Sequence, residues 1–195
     1  QSKIYKVDAK KLTTSVIYEE SDEAWVDLFQ LGNPYAIDFT NSFSFLNDNK
    51  SILWASEKDG WRHLYQVSLE GKPEVLINNG DYDVIDVKHI DSKEGYVYYL
   101  ASPDNATQKY LYRTKLNGKG KNELLSPESL KGTHDYSFSS NGNYAEHSFS
   151  NHYTKNSKEF IAVDSHKALT EKESIVKNLK SLEEKPTTEF FTITT

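Results

Sequence analysis

Apolar and aromatic residues fall along this chain in short runs closed by turn-forming residues, and the runs return at nearly constant spacing. Ile4-Tyr5-Lys6-Val7, Leu64-Tyr65-Gln66-Val67, Leu111-Tyr112-Arg113-Thr114 and Phe160-Ile161-Ala162-Val163 line up with offsets of 60, 47 and 49 residues. The last three each follow a second run: Ile52-Leu53-Trp54-Ala55, Tyr96-Val97-Tyr98-Tyr99, and Tyr144 to Phe149. Runs this short, rich in aromatic and β-branched residues, fit strands better than helices. A period of about 45 to 50 residues built only from short strands predicts four-stranded antiparallel blades of a β-propeller.

The pattern predicts a partial propeller over residues 1–172, with blades near 2–20, 42–77, 83–125 and 133–170. The first blade supplies only two strands, Lys3 to Asp8 and Ser15 to Glu20, so the arc amounts to about three and a half blades. A long connection from Ser21 to Thr40 follows, carrying Trp25, Phe29 and Tyr35 and accounting for the larger first offset. Long connections with aromatics are usually packed or functional. Within the later blades the strands are separated by turn chemistry: Asn47-Asp48-Asn49, Lys58-Asp59-Gly60, Glu70-Gly71-Lys72, Pro103-Asp104-Asn105 and Asn117-Gly118-Lys119-Gly120. After Lys172 the period breaks. Ile175, Val176, Leu179 and Leu182 recur at helical spacing between Glu173 and Glu184, and Thr187 to Thr195 reads as a new β-branched strand after Pro186. Residues 173–195 are thus expected to be a helix and an exit strand leading toward a further domain.

Composition narrows the function classes. A net charge of −6 and a pI near 5.5 argue against a nucleic-acid partner. No apolar run approaches the length of a membrane span. Cys is absent, which removes disulfides, thiolate metal sites and a Cys nucleophile. Met is absent too, and Gln1-Ser2-Lys3 leads straight into a strand, so the sequence is expected to be an excerpt of a longer polypeptide. A Cys-free chain rich in Tyr, Asn and Ser is compatible with a bacterial exported protein.

Candidate chemistry is sparse. The sequence holds no G-x-S-x-G, H-E-x-x-H, phosphate-binding glycine loop or G-x-G-x-x-G. No catalytic residue, metal site or cofactor is expected. His147 and His152, five apart across a hairpin, are the one pair that would suggest a metal-dependent enzyme, and strand-surface histidines are the favoured reading. The acidic pairs Glu19-Glu20 and Glu183-Glu184 could bind an ammonium group or act as acid and base, against a solvated strand end and helix end. In Trp61-Arg62-His63, the expectation is that Trp61 packs on the neighbouring blade while Arg62 supports its turn. Asn105-Ala106-Thr107 fits a glycosylation acceptor triplet.

Three stretches resemble the propeller of the dipeptidyl peptidase IV family, in the family's order and spacing. Trp54-Ala55-Ser56-Glu57-Lys58-Asp59-Gly60-Trp61-Arg62-His63-Leu64-Tyr65 is similar to its S-E-x-D-G-[WY]-x-H-[LI]-[YF] stretch. Asn79-Gly80-Asp81-Tyr82-Asp83-Val84 is similar to T-x-G-x-[WY]-[DE]-V, and Gly132-Thr133-His134 with Phe138-Ser139 and Gly142-Asn143-Tyr144 to G-T-H-x-x-x-F-S-x-x-G-x-Y. The resemblance implies the C-terminal part of a propeller preceding an α/β-hydrolase domain in the same polypeptide. It implies an exported serine exopeptidase, periplasmic or cell-surface in a bacterium, that removes N-terminal Xaa-Pro or Xaa-Ala dipeptides. The triad would lie beyond Thr195. Trp25-Val26-Asp27-Leu28-Phe29 places Phe29 where the family carries a loop aromatic lining the substrate's second residue. Glu19-Glu20 does not occupy the position of the family's amino-binding Glu pair. The partners so implied are a peptide substrate and the hydrolase domain, and the uncovered terminal blades are expected to self-associate, as in a homodimer. The reading from another class is a stand-alone propeller scaffold or glycan- or protein-binding module without a hydrolase.

Overall fold

The structure, a computed structural model, describes residues 1–26, 43–152, 156–171, 173–174 and 191–194. All regular structure among them is β, in four antiparallel sheets that follow one another along the chain. The first sheet pairs β1 (Ser2–Asp8) with β2 (Thr13–Glu20). The second runs in the order β3 (Ser44–Leu46), β4 (Ser51–Ser56), β5 (His63–Ser68), β6 (Val75–Leu76). The third repeats it with β7 (Val84–Asp91), β8 (Tyr96–Ala101), β9 (Tyr110–Lys115) and β10 (Glu123–Leu124). The fourth holds β11 (Thr133–Phe138), β12 (Tyr144–Ser150), β13 (Ser157–Ala162) and β14 (Lys167–Ala168), and β15 (Glu173–Ser174) also pairs with β13. These are the meandering blades that the spacing predicts, and the partial propeller is the observed architecture.

The central strands show why the blades stack. Every residue of β4 is buried, and β8 is buried from Val97 to Ala101. Alternate residues of a strand face opposite sides of the sheet, so these runs make both faces apolar. Leu53, Ala55 and Leu64 of the second sheet meet Val97, Tyr99 and Tyr112 of the third in one core. Ile52, Trp54, Tyr65 and Val67 turn the other way, onto Tyr18 of the first sheet and partly buried Ile4. Tyr98, Leu100 and Leu111 of the third sheet meet Tyr136, Ala145 and Ile161 of the fourth. The pattern stops at the two ends of the arc. Tyr144 and Phe160 on the far face of the fourth sheet are about half exposed, as are Tyr5 and Val16 of the first.

A second repeat holds the outermost strand of each full blade. The backbone N–H of Leu64 donates to Asn78 Oδ1 at 2.8 Å, and the Leu64 carbonyl accepts from Ile77 N–H at 2.8 Å. In the third sheet the same two bonds join Leu111 N–H to Ser126 Oγ (2.8 Å) and Leu125 N–H to the Leu111 carbonyl (2.8 Å). In the fourth, Phe160 N–H donates to Thr170 Oγ1 (3.0 Å) and Leu169 N–H to the Phe160 carbonyl (2.7 Å). A side-chain oxygen therefore completes the ladder where each two-residue edge strand has ended, and so the outer strands can be short.

The C-terminal expectation requires correction. Glu173–Ser174 does not open a helix: it pairs antiparallel with Ser157 and Lys158, taking the stretch of β13 that β14 leaves open. Residues 175–190, the rest of the expected helix and the start of the exit strand, lie outside the described residues. Residues 191–194 form no strand, and Phe191 and Ile193 are exposed. A β-branched run becomes a strand only where a neighbour completes its ladder, and these residues have no such neighbour among the described residues. Among the described residues no helix is long and apolar enough to cross a membrane.

Stacking makes burial, not residue type, decide the cost of truncation. Leu111→Ala, at a fully buried position, is expected to lower unfolding free energy by about 2–5 kcal/mol. Phe160→Ala, on the uncovered face, should change it by no more than about 0.5 kcal/mol. Denaturant titration of both variants checks the contrast.

Candidate functional site

The strand directions place five connections at one end of the arc: the segment after Glu20, the β4–β5 turn, the β6–β7 link, the β8–β9 loop, and the approach to β11 beside the end of β12. Residues 57–63, 79–84 and 132–134 of the family-like stretches gather there, whereas Phe138-Ser139 and Gly142-Asn143-Tyr144 form the β11–β12 turn at the opposite end. His63 is buried and bridges two of these connections, with Nδ1 2.8 Å from Asp59 Oδ2 and Nε2 2.9 Å from the Gly80 carbonyl. The carbonyl can only accept, so Nε2 carries a hydrogen. Burial alone would raise the Asp59 carboxyl, but hydrogen bonds from His63 and Tyr65 hold it below the usual range. Gly80 has φ +132°, and a Cβ there would stand 2.5 Å from the Tyr82 ring. Arg62 does support its turn: its N–H donates to Asp83 Oδ1 at 2.7 Å and its guanidinium lies 3.5 Å from Glu57. Trp61, expected to pack, is 39% exposed.

The acidic pair at the end of β2 is drawn apart by the strand. Successive side chains point to opposite faces, and Glu19 pairs with Lys3 at 3.2 Å while Glu20 accepts from Tyr18 (2.6 Å) and Ser56 (2.7 Å). They cannot clamp one ammonium group together. Ahead of the long connection, Asp22 caps a turn by accepting from the N–H groups of Ala24 and Trp25, and the Trp25 ring is 75% exposed. Phe29, and Glu183-Glu184, lie outside the described residues. Beside the approach to β11 opens a cleft of about 490 Å³, with Asn105, Gln108, Lys131, Thr133, Asn151 and His152 on its walls. Its floor includes Gly132, where a Cβ would meet the Ser150 carbonyl at 2.5 Å and the Phe149 ring at 2.7 Å.

His147 and His152 do not form a pair: His152 is exposed on the cleft, whereas His147 is 1% exposed and faces the third sheet. The histidines that meet are His134, His147 and His166, each offering a ring nitrogen within 4.8 Å of the others. His134 Nδ1 stands 2.9 Å from His147 Nε2. His134 Nε2 lies 2.8 Å from the Leu130 carbonyl, and His147 Nδ1 lies 3.3 Å from Glu159 Oε1 across the β12–β13 pair. Tyr136 OH is 2.9 Å from His166 Nε2 and 2.8 Å from Ser126 Oγ. Burial holds the Tyr136 phenol well above its ordinary range, so it stays protonated. Sequence reasoning missed this group. His134 and His147 become neighbours only once the hairpin register sets Tyr136 opposite His147. His166 arrives from a left-handed turn residue, φ 49°, which no spacing rule announces.

An ionic contact joins the inner strands β7 and β11. Lys88 Nζ lies 2.9 Å from Asp135 and 3.0 Å from Asp86, with Lys109 3.7 Å from Asp135. Burial alone would lower the Lys88 ammonium, but the two carboxylates hold it above its usual range; Asp135 is likewise held below its own by Lys88 and Lys109 against its burial.

Comparison with known proteins decides what this arc is. The sequence profile described as "Dipeptidyl peptidase IV (DPP IV) N-terminal region" matches residues 1–156. The chain belongs to the dipeptidyl peptidase IV N-terminal region family. A probable dipeptidyl-aminopeptidase B of Aspergillus oryzae is 26% identical over 149 residues, covering 73% of this chain and 16% of that protein. A probable dipeptidyl peptidase 4 of Aspergillus clavatus is 25% identical over 147 residues, covering 74% and 18%. The crystal structure of Porphyromonas gingivalis dipeptidyl peptidase 4 matches with a TM-score of 0.68 and 24% identity, over 86% of this chain and 22% of that one, and so shares the fold. The chain therefore spans less than a fifth of the length of these curated relatives. Among the residues quoted for the resemblance, His63 ties the β4–β5 turn to Gly80 of the β6–β7 link, and His134 packs against Tyr110 between the third and fourth sheets.

Two outcomes follow for these contacts. Gly132→Ala should destabilise the chain by about 1–3 kcal/mol, because backbone as well as a ring must move; a lowered denaturation midpoint checks it. The Asp135 contribution, from a depressed folded pKa, is present above the unfolded value near 4 and lost as pH falls through the lower folded value. That of Lys88, from a raised pKa, is present below about 10.4 and lost as pH rises through the folded value. Stability against pH should then form a plateau with two falling limbs, and Asp135→Asn should lower the plateau and flatten this pair's share of both limbs.

Proposed function

We propose that this arc is the non-catalytic propeller part of a dipeptidyl peptidase IV-like serine exopeptidase, and that its connection-bearing end gates and partly lines the peptide site. The observation that carries the reading is the family match over residues 1–156 together with the long connection after Glu20 opening at that end of the arc. Acyl transfer needs a nucleophile, its base and an oxyanion hole. In this reading an α/β-hydrolase domain of the same polypeptide provides them. The blades act sterically: stacked sheets cannot part to admit a folded chain, so only a narrow, extended amino terminus reaches the nucleophile. Phe29 supplies an apolar wall for the second residue of the substrate, which favours Pro or Ala next to the scissile bond. The reaction belongs outside the cytoplasm, in keeping with a chain without Cys.

The isolated 195-residue chain should not hydrolyse Gly-Pro-anilide, and measurable turnover would refute the non-catalytic assignment. In the complete polypeptide, Phe29→Ala should lower kcat/KM for Gly-Pro-anilide by about 10- to 100-fold, the worth of one buried aromatic contact. Unchanged kcat/KM would remove Phe29 from the site.

A further inference from the structure

The imidazoles between the third and fourth sheets form an arrangement that calls for a cation. The outer nitrogen of each strand histidine faces an acceptor: the Leu130 carbonyl for His134 and the Glu159 carboxylate for His147. Both outer nitrogens then carry hydrogen, and the two inner nitrogens, His134 Nδ1 and His147 Nε2, present lone pairs to each other 2.9 Å apart. The rings are nearly parallel, 15° between planes with centroids 5.1 Å apart, so the nitrogens meet edge to edge. Two facing lone pairs repel unless a proton or a metal ion lies between or beside them. The third imidazole and a phenol oxygen converge on the same place, His166 Nε2 lying 2.9 Å from Tyr136 OH, which is itself 3.4 Å from His134 Nδ1. A proton needs only two of these groups, whereas a metal ion takes all three imidazoles.

We propose that His134, His147 and His166 bind a divalent transition-metal ion of the zinc class, with a water beside the protonated Tyr136 hydroxyl as fourth ligand. Imidazole nitrogens suit Zn²⁺, Co²⁺ and Cu²⁺. Ligating histidines characteristically pass their other N–H to a carbonyl or carboxylate, which is what Leu130 and Glu159 offer. Nitrogens bound to tetrahedral zinc lie about 3.3 Å apart, from bond lengths of about 2.0–2.1 Å. The pair at 2.9 Å must open by a few tenths of an ångström, and the third nitrogen, within 4.8 Å, must close. His166 can move, because it sits half-buried on the β13–β14 turn, and that turn is also the entry path. The ion would tie β11, β12 and this turn into one clamp. It is a structural site, since the histidines are turned away from the cleft where the connections gather.

The test is calorimetric titration of the tag-free, chelator-stripped chain with Zn²⁺, alongside the visible d–d bands of Co²⁺. One equivalent should bind, with tetrahedral Co²⁺ intensity and a rise in Tm. His166→Asn should weaken binding by more than about tenfold, and Glu159→Gln, acting through His147, by about tenfold or more. Asn tolerates the left-handed turn conformation, so the first variant keeps its fold. His152→Ala, on the exposed cleft, should bind as the parent does. A folded parent chain that takes up no Zn²⁺ would overturn the proposal and leave a proton as the bridge. Equal uptake by the parent and His166→Asn would overturn it as well.

Discussion

The architecture rests on one constraint: its central strands are apolar on both faces. Leu53 and Ile52, Tyr99 and Tyr98, adjacent in sequence, belong to different cores on opposite sides of their sheets. A single antiparallel sheet with water on one side could not hold such strands, because half of each would be exposed. The sequence must therefore build a stack, and the order along the stack follows the order along the chain. Antiparallel meanders of this kind need only short turns, which is what the Asn-, Asp- and Gly-rich segments supply.

Polar groups inside the stack serve a different end. Between the second and third sheets, Tyr82, Tyr99, Thr114 and Asn122 share hydrogen bonds; between the third and fourth, Ser126, Tyr136 and the histidines do so. Apolar faces slide over one another at little cost, whereas directional bonds fix one angle and one offset. The Ser126–Tyr136 bond joins the third sheet's last connection to the fourth sheet and helps fix their relative rotation, while the Tyr82 group ties the β6–β7 link to the third sheet. Tyr82 and His134, both from the family-like stretches, take part in these networks, which ties part of that sequence signature to packing geometry.

The sheets were legible in the sequence because period and turn chemistry are local. The hairpin strands from Ser51 to Ser68 and from Tyr144 to Ala162 fall where alternating bulk and turn residues place them. The pairing of Glu173 and Ser174 was not legible, for an opposite reason. Apolar residues at helical spacing state a local preference, but an open stretch on β13 offered Glu173 and Ser174 backbone partners, and pairing won over propensity. The histidine group was hidden for a third reason: it depends on which residues of a hairpin stand opposite one another and on one residue with positive φ. Of the candidate site, the sequence singled out His63, Gly80 and His134 within family-like stretches, but it favoured strand-surface histidines where His147 is buried.

The side-chain oxygens of Asn78, Ser126 and Thr170 have a consequence for how the protein behaves in crowded solution. A sheet's last strand ordinarily displays a row of free amides on which another chain can template itself. Here that strand is two residues long in each full sheet, and the next inward amide is already taken by Asn, Ser or Thr. An approaching strand would find too few donors to build a ladder. On the second, third and fourth sheets the outer edge is thereby guarded against templated growth without a covering helix, whereas among the described residues the eight-residue β2 of the first sheet has no such cap.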